Sequence, residues 1–222
     1  MTHLPFDLQL LNGCAALLLL LSFAMLSQRR IVSLVGLLAV QGALLAIATL
    51  LLAWRTGQAH LYVSAALTVA LKVVFLPWLL YRLIRRLEVY WDTEPLLNIS
   101  GTMLSGIIIV VFAFGLAQPI TELANTAMRS AIGIAMSVVL LAFLMMITRR
   151  KAMSQIIGFL SMENGLFFGA MSATYGMPMV IELGIALDVL VAVLVLGVFF
   201  FQIREQFDSL DLHHLESLKE AE

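Results

Sequence analysis

Seven stretches of almost uninterrupted apolar residues dominate the sequence. They run at about 8–27, 31–53, 60–83, 98–118, 129–147, 155–174 and 179–201. A helix needs about 20 apolar residues to cross a hydrocarbon layer roughly 30 Å thick, and each stretch approaches or exceeds that length. Charged residues make up only 12% of the chain, about half of the usual share in soluble proteins. The sequence therefore predicts an all-α, polytopic membrane bundle of about seven transmembrane helices.

Basic residues are distributed unevenly between the two ends of these helices. Of the 13 lysines and arginines, Lys72 lies inside a stretch, ten fall on one side of a seven-span path, and only Arg55 and Arg129 fall on the other. Cytoplasmic loops carry an excess of Lys and Arg, so the bias predicts an N-terminus outside and a C-terminus in the cytoplasm. The ten are Arg29, Arg30, Arg82, Arg85, Arg86, Arg149, Arg150, Lys151, Arg204 and Lys219.

Four Lys, Asp or Glu residues fall within the apolar stretches. Lys72, Glu163 and Asp188 stand near the middle of the third, sixth and seventh stretches, and Glu182 stands closer to the outer end of the seventh. A charge at the bilayer centre costs about 2.5–3.5 kcal/mol on insertion scales, so each is a candidate functional residue. Glu182 is better interpreted as a solvated charge at a helix end, and we keep it only as an accessory candidate.

A polar stripe leads to Lys72 along the third stretch. Ser64, Thr68 and Lys72 recur at every fourth residue and therefore share one face of a helix. Pro77 removes the hydrogen bond that the carbonyl of Val73 would otherwise accept, which opens the backbone one turn beyond the lysine. Such a bend beside an intramembrane charge is where water can enter; an ordinary proline kink that shapes packing is the alternative.

The sixth and seventh stretches form a predicted hairpin that brings two carboxyl groups to comparable depth. Glu163, beside Asn164, and Asp188 would then face Lys72 near the middle of the membrane. Two carboxyl groups and an amine can exchange a proton among three sites, so we predict a proton path through Lys72, Glu163 and Asp188. The alternative is a buried ion pair that only fixes packing, although such pairs stabilise poorly compared with apolar contacts.

The single cysteine limits other chemistry. Cys14 lies inside the first apolar stretch, so neither a disulfide nor a cysteine-based metal site can form within the chain. We predict no catalytic residue, metal site or cofactor of the chain's own, and no nucleic-acid partner.

Two specific runs of residues are GFLSMENG at 158–165 and ELGIALD at 182–188. Both resemble component E of hydrogenase-4, from the membrane-bound group 4 nickel-iron hydrogenases and formate hydrogenlyases. The residues Leu71, Lys72, Val73 and Val74, with Pro77 after them, look like the third helix of that family. The resemblance covers nearly the whole chain in length and span number.

The last three stretches also resemble the small three-helix subunit of complex I and of multisubunit sodium/proton antiporters. Met162 and Asn164 fit its Met-x-Asn motif, and Asp188 fits its third-helix carboxylate. Glu163 stands about one turn later than the usual glutamate, whose place Leu160 takes. The resemblance implies a three-helix region at 119–203, which follows a four-helix region with Lys72 at 1–118. The tail at 204–222 is predicted to be cytoplasmic, and its apolar residues among acids predict a short amphipathic helix.

The resemblance implies a membrane subunit that is not an enzyme by itself. Its expected partners are antiporter-like subunits, a complex I-like membrane anchor and a peripheral hydrogenase arm that holds the nickel-iron site and iron-sulfur clusters. It would contribute to translocation of protons or sodium ions in the cytoplasmic membrane of a bacterium or archaeon. Two alternatives stay open, namely a scaffold subunit without an ion path and a stand-alone ion transporter. The lack of an internal repeat argues against the transporter.

Overall fold

The computed structural model describes residues 6–87, 90, 98–121, 126–174 and, further on, 184, 186, 187, 189–193 and 197, and helices account for nearly all of these described residues. Within these ranges there is no strand. The six long helices are α1 (Phe6–Ser27), α2 (Ile31–Thr56), α3 (Ala59–Leu87), α4 (Ile99–Thr121), α5 (Thr126–Thr148) and α6 (Ala152–Thr174).

All six helices are long and apolar enough to cross a membrane, with a candidate span in each. Their bounds lie within a few residues of the first six predicted stretches, which confirms an all-α, multi-pass bundle.

The chain divides into two units, Met1–Asp188 and Val189–Glu222. The few described residues of the seventh predicted stretch are helical, both in the first unit and in the second. Glu182, Asp188 and the tail at 204–222 lie outside the described residues, and the orientation and the three regions stay predictions.

Local chemistry explains where two of the helices end. Gly57 follows α2 with a φ of 67°, the left-handed conformation that glycine adopts without strain, and its N–H donates to the carbonyl of Ala53. At the end of α1, buried Arg149 donates to the carbonyls of Leu26 and Gln28 at 2.9 and 2.7 Å. Arg149 therefore satisfies carbonyls that the helix leaves without intrahelical donors. It also ties the α5–α6 connection to the α1–α2 connection.

The first unit is held together mainly by apolar side chains from five helices. Residues such as Leu18, Leu45, Leu61, Val138 and Phe168 form one buried cluster that joins α1, α2, α3, α5 and α6. The neighbouring helix pairs include α5 with α6, α2 with α3, α1 with α5 and α2 with α6. By contrast, α4 leaves most of its large apolar side chains exposed, as a surface facing lipid would.

The helix α3 changes its winding around Lys72. It is α-helical over Ala59–Thr68, π-helical over Val69–Phe75 and α-helical again over Leu76–Leu87. The N–H of Leu76 accordingly donates to the carbonyl of Leu71, five residues earlier. Pro77, which has no N–H, follows this segment directly. The disturbance predicted one turn beyond Lys72 thus surrounds the lysine.

Candidate functional site

The side chain of Lys72 ends in a buried polar contact between α3 and α6. Its Nζ donates to Oε1 of Glu163 and to Oδ1 of Asn164, each at 2.9 Å. Lys72 is 5% exposed, and Glu163 and Asn164 are each 2% exposed. Both charged residues stand near the middle of their helices. The structure therefore brings together three of the residues that the sequence singled out, and we call Lys72, Glu163 and Asn164 the buried polar cluster.

Sequence spacing on α6 explains how one helix supplies most of this environment. Glu163 and Phe167 are four residues apart and share a face, while Asn164 is one position further around the helix. The Nζ of Lys72 lies 5.7 Å from the centre of the Phe167 ring, within the range of a cation–π contact. The ammonium thus contacts a carboxylate, an amide and an aromatic face.

A glycine on α2 permits the close approach of α3. A Cβ atom at Gly42 would lie 2.9 Å from Cβ of Lys72 and 3.2 Å from its carbonyl oxygen. No larger residue fits at position 42 without moving the lysine or its helix. Our reading of the sequence missed Gly42, although a glycine inside an apolar helix often marks such an approach.

Replacement of Gly42 by alanine should destabilise the protein by about 1–3 kcal/mol, the usual cost of overpacking a core. Gly115 on α4 is the matched control, since a Cβ there would meet nothing within 4 Å. Its replacement by alanine should be neutral or slightly stabilising, because alanine is the better helix former. Thermal unfolding of the two purified variants in mild detergent measures the difference. Equal stabilities would contradict the tight contact.

The hydroxyl groups of the predicted stripe are buried but do not join the cluster directly. Thr68 is 6% exposed and donates to the carbonyl of Ser64 at 2.9 Å, within its own helix. Ser64 is 2% exposed, and its Oγ has no hydrogen-bond partner among the described residues. The stripe is therefore a line of buried hydroxyls that approaches Lys72 from the α3 N-terminus.

A second polar contact joins α1 and α2. The amide nitrogen of Gln41, a fully buried residue, donates to Oγ of Ser22 at 3.0 Å, and that hydroxyl donates to the carbonyl of Leu18. Gln41 precedes Gly42, which approaches the backbone of Lys72, so this second polar contact lies at nearly the same depth as the buried polar cluster. Our reading of the sequence did not select Gln41, because an uncharged amide carries a weaker signal than an intramembrane charge.

Across the described ranges there is no group of three or more His, Cys, Asp and Glu side chains that could hold a metal ion. The described chemistry is that of an ammonium, a carboxylate and an amide in direct contact. A carboxylate and an amine can each bind or release a proton, whereas the amide can only orient them. Asp188, the third predicted member of the path, lies outside the described residues.

The six spans and the charged contact between two of them define a multi-pass membrane protein with a polar centre. The chain belongs to the family of Uncharacterized protein Rv0085 of Mycobacterium tuberculosis, with which it shares 35% identity over 95% of its own length and 96% of that protein's. It is more distantly similar to Hydrogenase-4 component E of Escherichia coli K12 and of Shigella flexneri, at 25% identity over 95% of the chain and 97% of each relative. No protein-family model matches the chain, and no solved structure matches it either.

Proposed function

We propose that this chain is a non-redox membrane subunit of a group 4 nickel-iron hydrogenase or formate hydrogenlyase-type complex. In this proposal Lys72 and Glu163, with Asp188, carry ions across the membrane while partner subunits transfer electrons. The partners are antiporter-like subunits, a membrane anchor and a peripheral arm with the nickel-iron site and iron-sulfur clusters. The complex lies in the cytoplasmic membrane of a bacterium or archaeon.

End-to-end similarity supports the assignment to a hydrogenase-type complex. The hydrogenase-4 relatives match over 97% of their length, so the likeness extends over the whole subunit and is not confined to one apolar segment. Identity of 25% supports common ancestry more than shared chemistry, because function depends on particular site residues. The buried polar cluster must therefore support the ion-path part.

The contact of Lys72 with Glu163 is the observation that carries the ion path. Both groups are at least nine-tenths buried at the centre of a membrane helix bundle. Apolar side chains of similar volume would usually stabilise such a position as well or better. Charges retained at this cost are typical of ion and proton pathways. A packing pair in a scaffold subunit is the competing function, and the same contact would suit it.

Purification under mild detergent tests the assignment to a complex. A tagged copy of the chain, expressed in its native host, should co-elute with hydrogenase subunits that contain nickel and iron. Recovery of the chain alone from membranes that make those subunits would contradict the proposal and favour a stand-alone transporter. The ion-path part makes a separate prediction, since a glutamine at position 163 should stop ion movement in an assembled complex.

A further inference from the structure

A small cavity lies directly against the buried polar cluster. Its volume is about 10 Å³, and Lys72 and Asn164 form its polar wall. A cavity holds one water molecule at roughly this size, provided that the water finds polar partners. The remaining wall consists of Leu38, Leu76 and Leu160, one from each of three helices.

The three leucines stand at the same level, one helical turn from the cluster. Leu76 follows Lys72 by four residues, Leu160 precedes Asn164 by four, and Leu38 precedes Gly42 by four. Helices α2 and α6 begin, and α3 ends, at the side that carries Arg29, Arg85 and Arg149. The leucines therefore lie between the cluster and the basic end. We call Leu38, Leu76 and Leu160 the leucine collar.

The opposite side of the cluster has a different character. There the next two turns of α3 carry the buried hydroxyls of Thr68 and Ser64. Hydroxyls can bind water or pass a hydrogen bond, whereas a ring of leucines can do neither. Each collar leucine is at most 3% exposed. The cluster thus has buried hydroxyls on one side and buried leucine side chains on the other.

We propose that the cavity binds one water molecule against Lys72 and Asn164, and that the leucine collar is the gate through which water reaches the cluster from the basic end. Apolar constrictions of this kind block ions when dry and pass them when wetted. The inference that the leucine collar acts as a gate rests on the proposed function, because it requires an ion path through the buried polar cluster. The water site rests only on the cavity and its polar wall.

Cysteine reactivity tests the water site without any measurement of transport. In protein whose Cys14 has been replaced by alanine, Leu38→Cys, Leu76→Cys and Leu160→Cys are treated with N-ethylmaleimide within the native membrane complex. The thiolate is the reactive form and needs water, so these cysteines should react roughly ten-fold faster than a dry one. Leu45→Cys is the matched control, because Leu45 is fully buried on α2 beyond Gly42 and does not line the cavity. Equal rates at all four positions would overturn the water site.

A bulkier side chain tests the gate. Leu160→Phe should fill the cavity and reduce ion translocation by sealed vesicles roughly ten-fold, with the complex still assembled. Leu166→Phe is the control on the same helix, because Leu166 is 49% exposed. Normal translocation in Leu160→Phe, together with loss in Glu163→Gln, would overturn the gate and leave the ion path intact. Normal translocation in both Leu160→Phe and Glu163→Gln would refute the ion path of the proposed function, while the cysteine rates would still decide the water site.

Discussion

Replacement of Glu163 by glutamine should remove most ion translocation from a complex that still assembles. Glutamine keeps the size of the side chain, and its carbonyl oxygen can accept the hydrogen bond that Lys72 now donates to Oε1 of Glu163. It cannot take up and release a proton near neutral pH. Since a positioned proton-transfer group typically contributes 10²–10⁴-fold, we expect a loss of roughly a hundred-fold. Asp188→Asn should behave in the same way.

Sealed vesicles with a pH-sensitive dye measure this loss, and hydrogenase activity with a soluble electron donor reports on the peripheral arm. That activity should persist, or slow only through back-coupling. Lys151→Gln is the charge-removing control, because Lys151 is exposed just before α6, about three helical turns from Glu163. Translocation close to normal in an assembled Glu163→Gln complex would refute the ion path and favour the scaffold function.

The membrane architecture could be predicted because it depends on local sequence. Runs of apolar residues must be helical in lipid, where each backbone N–H and C=O needs a partner within its own segment. Basic residues mark where the runs are interrupted, as at Arg29 and Arg149. Lys72 and Glu163 were recognisable for a related reason, since an intramembrane charge is costly wherever its helix lies.

The surroundings of Lys72 could not be predicted in this way, because they depend on the register of three helices against one another. Gly42 matters only because α2 meets α3 at Lys72, and Leu38 and Leu160 matter only because they reach the same cavity. In the sequence, these leucines are indistinguishable from those that face lipid. The π-helical segment was partly foreseeable from Pro77, but a proline alone does not determine how many residues a disturbed helix includes.

Removal of only one partner of the Lys72–Glu163 pair by an apolar residue should destabilise the protein strongly. Lys72 is 5% exposed in the parent protein. Glu163→Leu removes the carboxylate that contacts the Lys72 ammonium and leaves this charge buried. Loss of one member of a buried ion pair typically costs about 3–5 kcal/mol. Lys72→Met leaves the buried Glu163 carboxylate without the Lys72 ammonium and should lower the free energy of unfolding by a similar amount. Thermal unfolding of the purified variants in one detergent gives the comparison.

The double variant Lys72→Met/Glu163→Leu separates a structural role from a functional one. It removes both charges and fills the volume with apolar groups, so its stability should return to within about 1 kcal/mol of the parent. The double-mutant cycle formed by the parent, the two single variants and the double variant would then give a coupling energy of several kcal/mol, as expected for residues in direct contact. A chain that folds as well without the pair as with it does not need the pair for folding. If the double variant assembles but moves no ions, the charges serve transport. If its loss of stability equals the sum of the losses in Glu163→Leu and Lys72→Met, the charges serve packing.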